Sequence, residues 1–218
     1  MTKELSQRII TSILLFIIAI FLCIYANQVF FLLALIIVFF ISYQEWIKLN
    51  YNKFKFEGLL YLIFFVSSAF LLRGHELESY IFFTFILCIC ICSDIGGYIC
   101  GKTIGGLKLT KISPNKTISG SIGSFAFSLV PIFIFATSIN PYHNLPIYSE
   151  LSFKIIIFCL FVSLACQVGD LIISYFKRKN KVKDTGRILP GHGGILDRID
   201  GIIFAIPSVY ILIILGIF

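Results

Sequence analysis

The sequence predicts an all-α fold, a polytopic membrane bundle of about seven transmembrane helices with its N-terminus in the cytoplasm. Three observations predict it. Of the 218 residues, 58% are hydrophobic and only 13% charged, and the mean hydropathy is +0.97, whereas a soluble domain carries about 25% charged residues. Apolar segments recur at 9–26, 29–46, 57–72, 79–97, 118–139, 152–172 and 201–218, each near the length of about 20 residues that a helix needs to cross the hydrocarbon core. The cations then alternate with those segments: with the N-terminus inside, 16 of the 18 Lys and Arg fall inside and only Arg73 and Lys154 outside. Adding or removing one span would spoil that asymmetry.

In chain order, the first segment is long and no small-residue cleavage site follows it, so it reads as a span rather than a signal peptide. The segment at 57–72 is the shortest of the seven. Cys88, Cys90 and Cys92 lie inside the fourth segment, where alternation puts Cys90 on the opposite helix face from the other two. With Cys23, Cys100, Cys159 and Cys166 scattered elsewhere, the seven thiols read as small polarizable packing residues rather than a disulfide framework or metal site. Residues Asn140 to Pro146 are turn material, and His75 and His143 read as solvated loop residues. The net charge of +7 belongs to the inner loops and gives no sign of nucleic-acid binding.

The chain reads as one integral-membrane domain, 1–218, with N-terminal spans over 1–93 and a catalytic half over 94–218. That half carries two cytoplasmic polar loops, 98–117 and 173–200. All five Asp lie in or beside them: Asp94, Asp170, Asp184, Asp197 and Asp200. On the predicted spans, Asp94 and Asp170 sit near the C-terminal ends of the fourth and sixth helices, where a carboxylate opposes the helix dipole unless a cation compensates. Asp197 and Asp200, three apart, share a face at the start of the last helix, and Asp197 is placed to cap it.

The most polar run is Ser174 to Asp200. It packs Lys177, Arg178, Lys179, Lys181 and Lys183, a Gly-Pro-Gly-rich turn, one His and three Asp between two apolar segments. Cations neutralise phosphoryl oxygens, carboxylates hold a hard divalent ion, and glycines let backbone N–H groups approach an anion. This combination points to a metal and a phosphate-rich substrate, with the Asp197–Asp200 pair holding Mg²⁺.

The run Ser174-x-Phe176-Lys177-Arg178-x4-Lys183-Asp184-x-Gly186-x2-Leu189-Pro190-x-His192-Gly193-Gly194-Ile195-x-Asp197-Arg198-Ile199-Asp200 resembles the signature of phosphatidate cytidylyltransferases, the CDP-diacylglycerol synthases. Upstream, Asp94-x-x-Gly97-Tyr98-x-x-Gly101 is similar to the family's Asp-x-x-Ala-Tyr-x-x-Gly, with Gly97 for Ala. Ser113-Pro114-Asn115-Lys116-Thr117-Ile118-Ser119-Gly120 is similar to its Ser-Pro-x-Lys-Thr-x-Glu-Gly, with Ser119 for Glu. The resemblance covers about the C-terminal 125 residues; the earlier spans match only as apolar segments.

The resemblance implies a helical membrane bundle, a homodimer, and conversion of CTP and phosphatidate to CDP-diacylglycerol and pyrophosphate in phospholipid biosynthesis. It also implies Mg²⁺, and leaves room for a second, monovalent cation. Carried over by position, Asp197, Asp170 and Asp200 are the metal and catalytic candidates, Asp197 first, with Lys183 and Asp184 in the catalytic set. Ser113, Lys116, Lys177, Arg178, His192, Gly193, Gly194 and Arg198 are the substrate-binding candidates. The Phe-, Ile- and Lys-rich composition points to a bacterial inner membrane, with the site facing the cytoplasm.

Two alternatives stand beside this reading. One is a CTP-dependent lipid kinase of the dolichol or phytol kinase type, which would leave CDP rather than pyrophosphate. The other is an ion-coupled transporter, which requires acids in mid-span and broken helices or repeats; the predicted placing of the acids at helix ends argues against it.

Overall fold

The computed structural model describes residues 14, 17–49, 54–110, 113, 116–138, 153–186, 188 and 193–217. Residues 17–24 are helical. Eight further helices follow: α1 Gln28–Leu49, α2 Lys55–Arg73, α3 Leu77–Thr103, α4 Ile118–Phe127, α5 Val130–Ser138, α6 Phe153–Lys179, α7 Leu196–Ile199 and α8 Ile202–Ile214. Among the described residues there is no β-strand, so the predicted all-α class holds.

Five stretches are long and apolar enough to cross a membrane: Gln28–Leu49, Lys55–Arg73, Leu77–Thr103, Ile118–Phe135 and Phe153–Lys179; Ile202–Ile214 is a shorter apolar helix. The exterior is itself apolar, with Phe30, Ile37 and Phe40 exposed by 63%, 59% and 58%. A surface of that kind is soluble only in lipid. The short segment at 57–72 forms a full helix. Residues 9–13, 15 and 16 of the segment at 9–26 lie outside the described residues, as do the inner cations Lys3 and Arg8 and the turn at 140–146 with His143.

Helix α3 is the central post, packing against α2, α4, α5, α6 and α8. Its Phe85, Ile86, Ile89 and Cys90 are fully buried, against Val162 and Cys166 of α6 and Ile206 and Val209 of α8 in the same core. Cys23, Cys90, Cys159 and Cys166 all belong to that core, which is the packing role expected of them. The segment expected as one span at 118–139 is broken at Ser128–Leu129 into α4 and α5. Pro131 in the first turn of α5 has no N–H to give the Phe127 carbonyl, and at the break Ser128 Oγ donates to Phe125 O at 2.7 Å.

One expectation is corrected. Helices α3 and α6 run on past their apolar stretches to Thr103 and Lys179, so Asp94 and Asp170 each lie nine residues before a helix end. Hydropathy marks where the chain leaves hydrocarbon, whereas helical hydrogen bonding continues through the polar turns beyond. The polar loops are correspondingly shorter than 98–117 and 173–200, and Lys177 and Arg178 are helical. Arg73, counted as an outer cation, is fully buried. Its guanidinium donates to Cys23 O at 3.0 Å and to Ala26 O, and lies 4.5 Å from the Phe31 ring centroid and 4.2 Å from that of Tyr80. It thereby ties the helix at 17–24 to α1, α2 and α3. His75 is exposed and pairs with the Gln28 amide.

Candidate active site

A cavity of about 390 Å³ opens among α3, α4, α6 and the α7–α8 junction. Helix α3 contributes Asp94, Gly97, Tyr98 and Gly101; the loop after it contributes Leu109 and Lys116. Helix α6 contributes Gln167 and Asp170, and Asp197 and Asp200 close the far side. Four of the five aspartates, from three separate parts of the chain, therefore meet in one place.

Local sequence explains how each wall is set. After α3 the chain turns at Gly105 and Gly106, both at positive φ, and returns along itself, with Leu109 N–H donating to Lys116 O at 2.8 Å and Ile118 N–H to Leu107 O at 3.0 Å. This hairpin carries Lys116 to α6, where it forms an ion pair with Asp170. Thr117 caps α4, its hydroxyl accepting from Gly120 N–H at 3.1 Å. On α6, Gly169 allows the close approach of the α7–α8 turn. A Cβ there would stand 2.6 Å from the Asp200 carbonyl oxygen, so the glycine lets Asp170 and Asp200 share one cavity.

Asp197 neither caps a helix, as the sequence suggested, nor stands free. Its Oδ1 accepts from Lys177 Nζ at 2.8 Å. Its Oδ2 accepts from Thr185 N–H at 2.7 Å, lies 3.0 Å from the Thr185 hydroxyl, and accepts from Gly194 N–H at 3.0 Å. Burial pushes this carboxyl up, but the Lys177 hydrogen bond and the Gly194 and Thr185 N–H groups outweigh it and hold the group below its ordinary value. Asp200 goes the other way. Burial first, then the negative charge of Asp170, raises it well above the ordinary carboxylate range, against the pull of Lys177, whose Nζ is 4.0 Å away. The cavity is thus rich in acid, with Lys116 in its wall, Lys177 paired to Asp197 beside it and Arg198 within electrostatic reach of Asp94.

The remaining predicted residues fall around this centre. Ser113 is half-buried in the hairpin, its N–H donating to Thr110 Oγ1 at 3.3 Å. Gly193, at φ +84°, and Gly194 form the loop under Asp197. Arg178, Lys183, Asp184 and Arg198 are exposed and do not line the cavity. His192 lies outside the described residues. Of the two departures from the family pattern, Gly97 faces α4, where a Cβ would stand 2.5 Å from Ser124 Oγ. Ser119 also falls outside the cavity lining. Its hydroxyl donates to Gly105 O and lies 2.9 Å from Thr117 Oγ1, tying the hairpin to the start of α4.

Sequence reasoning missed Glu45, Thr185 and Gln167. Gln167 lines the cavity, accepting from Ser121 Oγ at 2.5 Å and donating to Ser163 Oγ at 3.3 Å. Glu45 is 1% exposed and touches the loop before Asp197. A lone acid inside an apolar stretch was the available signal.

Among the described residues, no three His, Cys, Asp or Glu side chains stand as a ready-made metal cage. The donor set nevertheless suits a hard divalent ion. Mg²⁺ keeps most of its waters and binds through one or two carboxylates plus substrate phosphates, and the excess of carboxylate here is of that kind.

The sequence profile of the cytidylyltransferase family matches residues 58–215, beginning well upstream of Asp94, where the recognised motifs start. Phosphatidate cytidylyltransferase of Rickettsia bellii is 35% identical over 218 residues, covering 95% of this chain and 90% of that protein. The Bacillus subtilis protein of the same name is 44% identical over 138 residues, 62% of this chain and 47% of that one. That of Brucella suis is 36% identical over 155 residues, 71% of this chain and 54% of its own length, so the chain spans about half the length of the Brucella relative. On the breadth of the profile match, the chain belongs to the cytidylyltransferase family.

Proposed function

We propose that this chain is a phosphatidate cytidylyltransferase, converting CTP and phosphatidate to CDP-diacylglycerol and pyrophosphate. The observation that carries the reading is the meeting of Asp94, Asp170, Asp197 and Asp200 with Lys116 in one cavity, with Lys177 paired to Asp197 beside it. In the reaction, a phosphate oxygen of phosphatidate attacks the α-phosphorus of CTP. The bond from that phosphorus to the bridging oxygen breaks, and pyrophosphate leaves with the electron pair. No protein nucleophile is needed, so catalysis is positioning and charge neutralisation.

In that scheme Lys116 and Lys177 stabilise phosphoryl oxygens, each held at the cavity by its carboxylate. Thr185 and Gly194 keep Asp197 oriented through their N–H groups. Asp170, Asp197 and Asp200 would hold Mg²⁺ in competition with the two lysines. The ion would neutralise charge on the nucleotide phosphates. Exposed Arg178, Lys183 and Arg198 lie on the approach for anionic substrates. The apolar exterior supports membrane residence; a bacterial inner membrane, a cytoplasmic site and a homodimer are parts of the same proposal.

The helix-end placing of acids no longer separates this chain from a carrier, because Asp94 and Asp170 lie inside helices; family membership does. The test is a product assay with α-phosphate-labelled CTP. Label in the lipid phase supports the transferase, and label only in soluble CDP supports the lipid kinase. No turnover by folded protein contradicts both.

A further inference from the structure

We propose that Glu45, in the half of the chain without motifs, is a positioning residue that holds the loop delivering Asp197 and Asp200 to the cavity. The inference rests on the proposed reaction for its kinetic consequence and on geometry alone for its structural one.

Glu45 lies near the end of α1 and is 1% exposed. A carboxylate at that depth persists only when its lone pairs are used. They are used by the loop: Oε1 accepts from Ile195 N–H at 3.1 Å, and Oε2 accepts from Leu196 N–H at 2.9 Å and from the Thr185 hydroxyl at 2.8 Å. The two N–H groups open the short helix that bears Asp197, and such groups have no partner within the helix itself. Thr185 has one hydroxyl hydrogen and two carboxylates beside it. Its backbone N–H serves Asp197, and its hydroxyl stands between Glu45 Oε2 at 2.8 Å and Asp197 Oδ2 at 3.0 Å, linking the two. The carboxylate is wedged between the two arms of the loop. A Cβ at Gly186 would stand 2.6 Å from Oε1, and one at Gly194 would overlap Oε2.

Glu45 does not line the cavity, so it acts through Thr185, Ile195 and Leu196. Loss of its bonds frees both ends of the loop together, and Asp197 and Asp200 lose their common position opposite Asp170. Misplacement on the scale of an ångström is enough to lower a rate roughly 100-fold.

The test compares full-length wild type with Glu45→Gln, Thr185→Val and Thr185→Ser in lipid nanodiscs. Hydrogen exchange is followed by mass spectrometry, and kcat and KM for CTP are measured with phosphatidate. Glu45→Gln replaces an oxygen acceptor with an amide donor facing N–H groups, and Thr185→Val exchanges the hydroxyl for a methyl, removing its contacts to both Glu45 and Asp197. Expected for both are exchange about tenfold faster at residues 184–186 and 193–197 with α3 and α6 unchanged, kcat lowered roughly 100-fold and KM for CTP little altered. Thr185→Ser retains wild-type protection and turnover.

Unchanged loop exchange in Glu45→Gln and Thr185→Val overturns the proposal. Faster exchange with full kcat overturns the positioning role, and faster exchange spread through every helix shows a global structural role instead. Should Glu45→Gln fail to insert, the Thr185→Val and Thr185→Ser pair decides by the same readouts. A wild type that transfers no cytidylyl group but whose loop loosens in both variants refutes the proposed reaction and supports the loop assignment.

Discussion

Lys177 Nζ lies 2.8 Å from Asp197 Oδ1, joining the last turn of α6 to the short helix twenty residues later. Both side chains are nearly enclosed, at 11% and 7% exposure, so the pair is neither a solvent-screened surface contact nor interchangeable with one. The same ammonium is the cation nearest Asp200 among the ion pairs found. Lys177→Met therefore leaves two enclosed carboxylates short of charge. Removing one partner of such a pair costs about 3–5 kcal/mol. Thermal unfolding in detergent should show a clear fall in Tm, and phosphatidate-dependent CTP turnover should fall at least as far as roughly 100-fold.

Asp170→Asn removes the partner of Lys116 and one of the three acids assigned to the ion. It should lower activity and raise the Mg²⁺ concentration needed for half-maximal turnover. The check is a Mg²⁺ titration of the variant against wild type at saturating CTP. An unchanged Mg²⁺ requirement in an active variant would remove Asp170 from the metal set.

Gly169→Ala places a Cβ where the Asp200 carbonyl oxygen and the Phe204 ring stand, at 2.6 and 2.7 Å. Neither neighbour is the free end of a flexible chain, so α6 and the α7–α8 turn must part. Overpacking of this sort costs about 1–3 kcal/mol. The expected result is a lower Tm together with a lower kcat, read from unfolding and turnover on one preparation.

Gly97→Ala makes the chain match its family's pattern and sets a Cβ 2.5 Å from Ser124 Oγ, with Gly120 O next at 3.6 Å. That hydroxyl can rotate away, and alanine favours a helix interior over glycine by about 1 kcal/mol, so Tm in detergent should not fall. A fall in Tm that Ser124→Ala restores in a double-mutant cycle would show that the hydroxyl is held in place.

Much of this was legible in the sequence because the signals were local. The run from Ser174 to Asp200 places Lys177 and Asp197 close in sequence, and their pairing follows from its helix–loop–helix course. Hydropathy found the five helices long enough to span, but not their ends, since Asp94 and Asp170 sit where hydrogen bonding outlasts apolarity. Arg73 read as an outer cation because the carbonyls and rings that enclose it come from residues 23, 26, 31 and 80. Glu45 gave only the signal of a lone acid in an apolar stretch, and its role was hidden for the same reason: its partners Thr185 and Leu196 are 140 and 151 residues away. Contacts of that range follow from packing, which no local pattern records.

The central claim is that this acid-lined cavity transfers the cytidylyl group to a lipid phosphate, and one measurement tests it most directly. Wild type and Asp197→Asn, both shown to be folded, are incubated with phosphatidate, Mg²⁺ and CTP labelled at the α-phosphate, and lipid-phase label and released pyrophosphate are counted together. The account predicts equal amounts of labelled lipid and pyrophosphate from wild type and neither from the variant. Label confined to soluble CDP, or undiminished lipid labelling by Asp197→Asn, would contradict it.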